Sequence, residues 1–114
     1  MHTLVAERDG EVAGFANLGA ARDEEERVGE LFAIYVIPEA EGRGIGRALM
    51  DESLRQLRGE GFGEAILWVL EDNPRTRRFY ELAGWHADGG VKDEEGLETS
   101  VREIRYRITL EPTT

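Results

Sequence analysis

Apolar positions fall into eight short segments separated by glycine, proline and charged residues. Residues 3–8 (TLVAER) and 12–18 (VAGFANL) flank Asp9-Gly10, and two strand-like runs across Asp-Gly predict a hairpin with a tight turn. Residues 19–29 (GAARDEEERVG) are small and charged and predict a loop, with Asp23 to Glu26 as a solvated acidic tip. Residues 30–37 (ELFAIYVI) are apolar throughout after Glu30, which predicts a central strand buried on both faces. Pro38 closes it, because proline has no N–H to give to a strand ladder.

The period then changes. In GIGRALMDESLRQLRGEGF, Ile45, Leu49, Leu54 and Leu57 recur at near-helical spacing, with Ala48 and Met50 beside them. Arg47, Asp51, Arg55 and Arg58 lie largely off that stripe. The spacing predicts an amphipathic helix of about 15 residues, stopped by Gly59 and Gly61. Residues 64–70 (EAILWVL) predict another buried strand. Asn73 suits a helix N-cap and Pro74 the first helical position, so PRTRRFYELA predicts a second helix, with Gly84 as its C-cap. Trp85 and His86 start a short strand, followed by a loop with Gly89-Gly90 and Asp93, Glu94 and Glu95. In residues 101–110, Ile104, Tyr106, Ile108 and Leu110 alternate with Arg105, Arg107 and Thr109, a half-buried strand of period two. The order β-β-β-α-β-α-β-β predicts an α/β or α+β fold with a mixed sheet, as one domain over residues 1–114.

Composition narrows the function. The chain has 114 residues, 14 Lys+Arg against 24 Asp+Glu, and a net charge of −10. Such an acidic domain repels phosphate backbones, so nucleic acid is not an expected partner. There is no cysteine and there are two histidines, which excludes a thiolate zinc site or cysteine nucleophile and argues against a metal. No apolar run approaches the roughly 20 residues that span a bilayer, and the N-terminus has no signal-peptide pattern, so no membrane is expected and the location is read as cytoplasmic.

The candidate chemistry lies between the third strand and the first helix. EGRGIG, Glu41 to Gly46, places Gly42, Gly44 and Gly46 alternately at the helix entrance. Such a turn can aim successive backbone N–H groups at one point beside the positive end of the helix dipole, an anion site suited to a pyrophosphate. Arg43 and Arg47 add charge. A plain strand–turn–helix connection explains a lone GxGxG equally well. A P-loop is excluded because Arg47 follows Gly46, and a dinucleotide GxGxxG because position 47 is not glycine. These misspellings also disfavour a nucleotide-binding module.

ELFAIYVIPEAEGRGIGRALMDESLRQL resembles the acetyl-coenzyme A motif of the GNAT superfamily of N-acetyltransferases, [Q/R]-x-x-G-x-[G/A]. Gly44 and Gly46 take the small positions, and Glu41 departs from the usual Gln or Arg. EDNPRTRRFYELAGW is similar to the family's N-x-x-A-x-x-x-Y-x-x-x-G-[F/W], with Asn73, Tyr80, Gly84 and Trp85 at the expected offsets and Thr76 in place of the alanine. The resemblance covers residues 3 to 110, with a cofactor-binding core at about 30–85. It implies a mixed, mostly antiparallel sheet flanked by two main helices.

The resemblance also implies transfer of an acetyl group from acetyl-CoA, as co-substrate and without a metal, to a primary amine of a small molecule or a protein. It implies that strands 30–37 and 64–70 splay apart around the pantetheine arm, which pairs with the backbone of Ile34, Tyr35 and Val36 as an added strand would. An N–H near Val36 would polarise the thioester oxygen. The pyrophosphate would rest on the turn from Glu41 through Gly42, Arg43, Gly44, Ile45 and Gly46 to Arg47. Asn73 would touch the cofactor near its thiol end, besides capping its helix. Tyr80 would protonate the departing thiolate, and Glu30 would deprotonate the ammonium, directly or through water. On residues alone, Tyr80 reads first as a packed aromatic beside Phe79, and Arg75, Arg77 and Arg78 decorate a solvated helix face.

Family members usually begin with a strand and one or two helices that wall the acceptor site. Here Met1 stands almost directly before the first hairpin. The expectation is a homodimer that contacts through that region, since a strand missing from a sheet leaves an edge that invites pairing. The alternative function is a non-catalytic CoA-binding or interaction domain with an incomplete acceptor site.

Overall fold

The computed structural model describes residues 1–22, 27–95 and 100–110. Its elements follow in the order β1 (His2–Arg8), β2 (Glu11–Ala20), β3 (Val28–Val36), a 3-10 turn (Pro38–Ala40), α1 (Ile45–Gly59), β4 (Glu64–Leu70), α2 (Pro74–Leu82), β5 (His86–Glu95) and β6 (Ser100–Thr109). The strands form one sheet in the order β1-β2-β3-β4-β6-β5. The pairs β1–β2, β2–β3 and β5–β6 are antiparallel. The mixed, mostly antiparallel sheet and the two helices are as expected. The chain divides into two compact units, Met1–Ala65 with Thr109–Thr114, and Ile66–Ile108.

The first unit holds β1, β2, β3 and α1. Asp9 and Gly10 both have positive φ, 53° and 82°, which matches a two-residue hairpin to the twist of its strands. The hairpin register pairs Arg8 with Glu11 and shifts between Ala6 and Glu7 at a bulge. Helix α1 buries Leu49, Met50, Ser53 and Leu57. Leu54 is only half-buried, so the buried stripe is rotated from the one the leucine spacing suggests. Ser53 fits an apolar face because its hydroxyl donates to the Leu49 carbonyl, 2.7 Å away in the preceding turn. The helix approaches β2 closely because β2 offers small residues there. A Cβ at Gly14 would sit 2.5 Å from the Tyr35 carbonyl oxygen and 3.2 Å from Leu49 Cδ1.

β3 is not buried on both faces. Val28, Gly29 and Leu31 are buried, but Phe32 and Tyr35 keep 37% and 49% of their surface exposed. Within this unit one helix covers one face of the strand. Ile34 and Val36 pair with Ala16 and Gly14, and Leu49 of the helix reaches Gly14. Tyr35 alternates to the other face, where its ring lies 6.0 Å from that of Phe15. The strand also starts earlier and stops sooner than its apolar run, at Val28 and Val36. The acidic tip at residues 23–26 lies outside the described residues.

The second unit holds most of β4, α2, β5 and β6. Ile66, Leu67, Val69, Tyr80, Trp85 and Tyr106 form its buried apolar set. Helix α2 starts as read: the Asn73 side chain accepts from the Thr76 N–H at 3.2 Å and Pro74 takes the first position. β5 differs. The sequence suggests a short strand and a loop, yet one ten-residue strand runs through Gly89-Gly90 to Glu95. A register shift between Ala87 and Val91 absorbs the glycines, and Asp88 accepts from the Gly90 N–H at 2.9 Å. Asp93 stands opposite Arg102 and binds its guanidinium at 2.8 Å. A cross-strand partner thus lets part of an acidic run belong to a strand.

Candidate functional site

The segment after β3 is built as an anion cradle would be. Gly42 and Gly44 have φ of 78° and 80°, a left-handed conformation that costs any other L-residue about 1–2 kcal/mol. Gly44 is also the N-cap of α1, and no side chain caps that helix. The amides of the first helical turn therefore take no hydrogen bond from a capping side chain. A Cβ built at Gly42 or Gly44 meets nothing within 4 Å, so it is the positive φ and not crowding that favours glycine at both positions. Gly46, in contrast, lies inside the helix. Arg43 and Arg47 are both exposed, and Arg47 Nε lies 3.7 Å from Asp51. Glu41 donates its own N–H to the Pro38 carbonyl at 3.2 Å, which closes the 3-10 turn. A helix start without a side-chain cap, its dipole end and two guanidiniums suit a pyrophosphate, so the residues present fit that part of a coenzyme A molecule.

A cavity of about 440 Å³ lies beside this turn, lined by Arg8, Asp9, Glu11, Ile37, Glu39 and Arg43 among others. Its lining mixes two cations with three carboxylates, so it does not present the single sign of charge that a pyrophosphate requires. The left-handed turn itself is the better candidate.

Ile34, Tyr35 and Val36 lie in the second half of β3, and Glu30 lies in its first half, opposite Gly19 and half-buried. These belong to the first unit, whereas Asn73 and Tyr80 belong to the second. Tyr80 is 8% exposed. Its ring makes tilted edge contacts with Phe79, Trp85 and Tyr106, with centroids 5.6, 6.4 and 6.4 Å away. Burial pushes its phenol above the ordinary value of 10.0. It therefore stays protonated through the neutral range, as a proton donor must.

Sequence reasoning missed the polar network beside Tyr80. Arg77 is not part of a solvated helix face. Its Nε donates to the Tyr106 hydroxyl at 3.0 Å, and its Nη1 donates to the Glu71 carbonyl at 3.0 Å. The Tyr106 hydroxyl donates in turn to Glu81 Oε2 at 2.7 Å. The i,i+4 spacing of Arg77 and Glu81 was the available signal, but nothing local announced that a strand tyrosine would stand between them. Asp88, 12% exposed, receives the Nε groups of Arg105 and Arg107 at 2.7 and 3.0 Å. Lys92 Nζ sits 4.0 Å above the Trp68 ring. Among the described residues no group of three or more His, Cys, Asp or Glu is placed to hold a metal, and no helix is long and apolar enough to cross a membrane.

Three comparisons bear on this geometry. The model of a family described as the acetyltransferase (GNAT) family matches residues 1–85. A mycothiol acetyltransferase of Streptomyces griseus is 41% identical over 82 residues, which cover 72% of this chain and 26% of that protein. The chain thus spans about a quarter of that relative's length. Among solved structures, the ribosomal-protein-alanine N-acetyltransferase of Brucella melitensis superposes with a TM-score of 0.83 at 27% identity, covering 95% of this chain and 68% of that one. The yncA protein of Salmonella typhimurium, solved with its cofactor acetyl-CoA, superposes at 0.82 over 98% of this chain and 66% of that one. Its identity is 22%, so this last likeness is one of fold.

Proposed function

The chain belongs to the GNAT acetyltransferase family, and from that premise we propose that it moves the acetyl group of acetyl-CoA to a primary amine of a small molecule or protein. The observation that carries the reading is the left-handed Gly42–Gly44 turn leading into an α1 terminus without a side-chain cap. In this reading the amides from Arg43 to Arg47 hold the pyrophosphate, with the Arg43 and Arg47 side chains adding charge. Bound acetyl-CoA supplies the activated acyl group. The backbone of Ile34 to Val36 aligns the pantetheine arm and gives an N–H to the thioester oxygen. Asn73 caps α2 and touches the thiol end. Glu30 takes a proton from the ammonium, directly or through water, and the Tyr80 hydroxyl delivers one to the departing sulfur. The position of Tyr80 in the motif supports that last role, and a phenol is protonated at neutral pH and so holds a proton to give when a thiolate forms.

The setting proposed is cytoplasmic, and the assembly a homodimer. The place of β1 as the outer strand of the sheet among the described residues supports pairing with a second copy.

Thermal unfolding with acetyl-CoA, ATP and NAD at millimolar concentration tests the binding half. A ligand of the native state raises the midpoint, by about 2.7 kcal/mol of stability at a concentration of 100 Kd. Acetyl-CoA is expected to raise it and the other two are not; no shift with acetyl-CoA defeats the proposal. Release of free thiol against a panel of primary amines tests the chemical half. Tyr80→Phe is expected to lower kcat by about 10²-fold, within the range of a positioned acid. Unchanged turnover removes Tyr80 from its role, and binding without turnover for any amine leaves a CoA-binding domain.

A further inference from the structure

Arg77, Tyr80 and Glu81 share the side of α2 that meets β6. Arg77 and Glu81 are one turn apart, and both converge on the Tyr106 hydroxyl, which accepts from Arg77 Nε at 3.0 Å and donates to Glu81 Oε2 at 2.7 Å. The Tyr106 ring packs edge-on against the Tyr80 ring, 6.4 Å between centroids. Tyr106 is fully buried. One strand residue therefore holds α2 at three points: the residue three before Tyr80, the residue just after it, and the Tyr80 ring itself. A fourth restraint comes from Arg77 Nη1 on the Glu71 carbonyl at 3.0 Å, ahead of the helix.

We propose that Tyr106, with Arg77 and Glu81, is a positioning set that fixes the rotation of α2 and so the place of the Tyr80 hydroxyl. The inference rests on the reading of Tyr80 as proton donor. With Cα atoms about 2.3 Å from a helix axis and a tyrosine side chain beyond them, a rotation of about 10° moves the phenol oxygen by about 1.5 Å. A displacement of about 1 Å at a reacting group can cost about 10²-fold in rate. The hydrogen bonds are the directional part of the hold, since ring packing alone tolerates sliding. The ionisable groups joined by the hydrogen bonds beside Tyr80 are Arg77 and Glu81 on its own helix and Tyr106 on β6; α2 also carries Arg75 and Arg78, and β6 Arg102, Glu103, Arg105 and Arg107. Arg77 and Glu81 offset one another in charge, and Tyr106 is neutral over the same range as Tyr80, its phenol also pushed up, chiefly by burial.

The variants are Tyr106→Phe, which keeps the ring and removes the bridge, Glu81→Ala, which removes its acceptor, and Glu81→Gln, which restores an acceptor oxygen. The first measurement needs no ligand. Protein labelled at the tyrosine ring carbon bearing the hydroxyl is titrated by NMR, with Tyr80→Phe to assign the signal. In Tyr106→Phe and Glu81→Ala, the Tyr80 titration is expected to fall toward 10.0 as the phenol becomes wetter, and in Glu81→Gln to return toward its original midpoint. The second measurement is steady-state kinetics with an amine acceptor. Tyr106→Phe and Glu81→Ala are expected to lower kcat about tenfold with the KM for acetyl-CoA unchanged within about twofold, and Glu81→Gln to recover most of it.

A Tyr80 signal that titrates identically in Tyr106→Phe and Glu81→Ala, in proteins with unaltered circular dichroism, overturns the proposal. Equal losses in Glu81→Gln and Glu81→Ala also overturn it, since they point to general loosening rather than the bridge. If the titration moves as expected while Tyr80→Phe leaves turnover intact, the positioning stands and the acid role of Tyr80 falls. The two failures are thus separable.

Discussion

A single φ angle decides what a glycine does in this chain. Gly44 and Gly59 both have open space where a Cβ would stand, but only Gly44 has a positive φ, at 80°. Gly44→Ala is expected to cost about 1–2 kcal/mol from left-handed strain and to shrink the stabilisation by acetyl-CoA. Gly59→Ala, in the last position of α1, is expected to gain about half a kcal/mol, because glycine is a poor helix residue. Calorimetry of the two variants, with and without acetyl-CoA, reads both signs; equal effects would show that φ is not the deciding variable. Features of this kind were legible in the sequence. Asp9-Gly10 spelled its hairpin, Asn73-Pro74 spelled a capped helix start, and the alternating glycines spelled a turn, because each depends on neighbours within a few positions. The roles of Ser53, Arg77 and Tyr106 were not legible. Tyr106 is 25 residues from Glu81 and 29 from Arg77, and only folding brings the three together.

At the level of elements, the run from His86 to Glu95 is where local reading failed most. Two adjacent glycines and four acidic residues ordinarily end a strand. Here the partner strand supplies what the segment lacks: Arg102 opposite Asp93, and Arg105 and Arg107 on Asp88 at the bulge. Burial raises the Asp88 carboxyl, but the Gly90 N–H and the two guanidiniums outweigh it and hold the group below its ordinary 3.8. A carboxyl depressed in the folded state stabilises above its unfolded pKa, and that contribution is lost as pH falls through the folded value. Asp88→Asn is therefore expected to cost about 2 kcal/mol at pH 7, within the range of hydrogen bonds to charged groups. The gap between variant and parent should close as the medium is taken well below pH 3.8. Urea unfolding at several pH values measures it, and a gap constant with pH would show that the charge of Asp88 contributes nothing. The buried stripe of α1 is a milder case. Its period was correct, but its rotation was set by the small residues of β2 that face it, which the helix's own sequence does not encode.

At the level of the whole molecule, charge and edge act against each other. A copy carrying −10 repels another copy, while β1, the outer strand of the sheet among the described residues, carries an exposed Val5. The proposed homodimer is therefore expected to tighten as salt rises, since screening reaches about 10 Å at 0.1 M. Val5→Lys is expected to abolish it, as charged residues blunt natural edges. Sedimentation across protein and salt concentrations reads both effects, and a monomer mass at every concentration, in high salt as in low, would exclude the dimer. The order of elements along the chain and the two helices were legible because each element announces its own period; the order of strands within the sheet was not, because pairing is set by contacts distant in sequence. The placement of the aromatic residues has an optical consequence. Both tryptophans, Trp68 under Lys92 and the buried Trp85, fall in the unit Ile66–Ile108. Indole fluorescence of this protein thus arises within that unit, and the unit that holds the glycine turn at residues 42–44 carries no indole of its own.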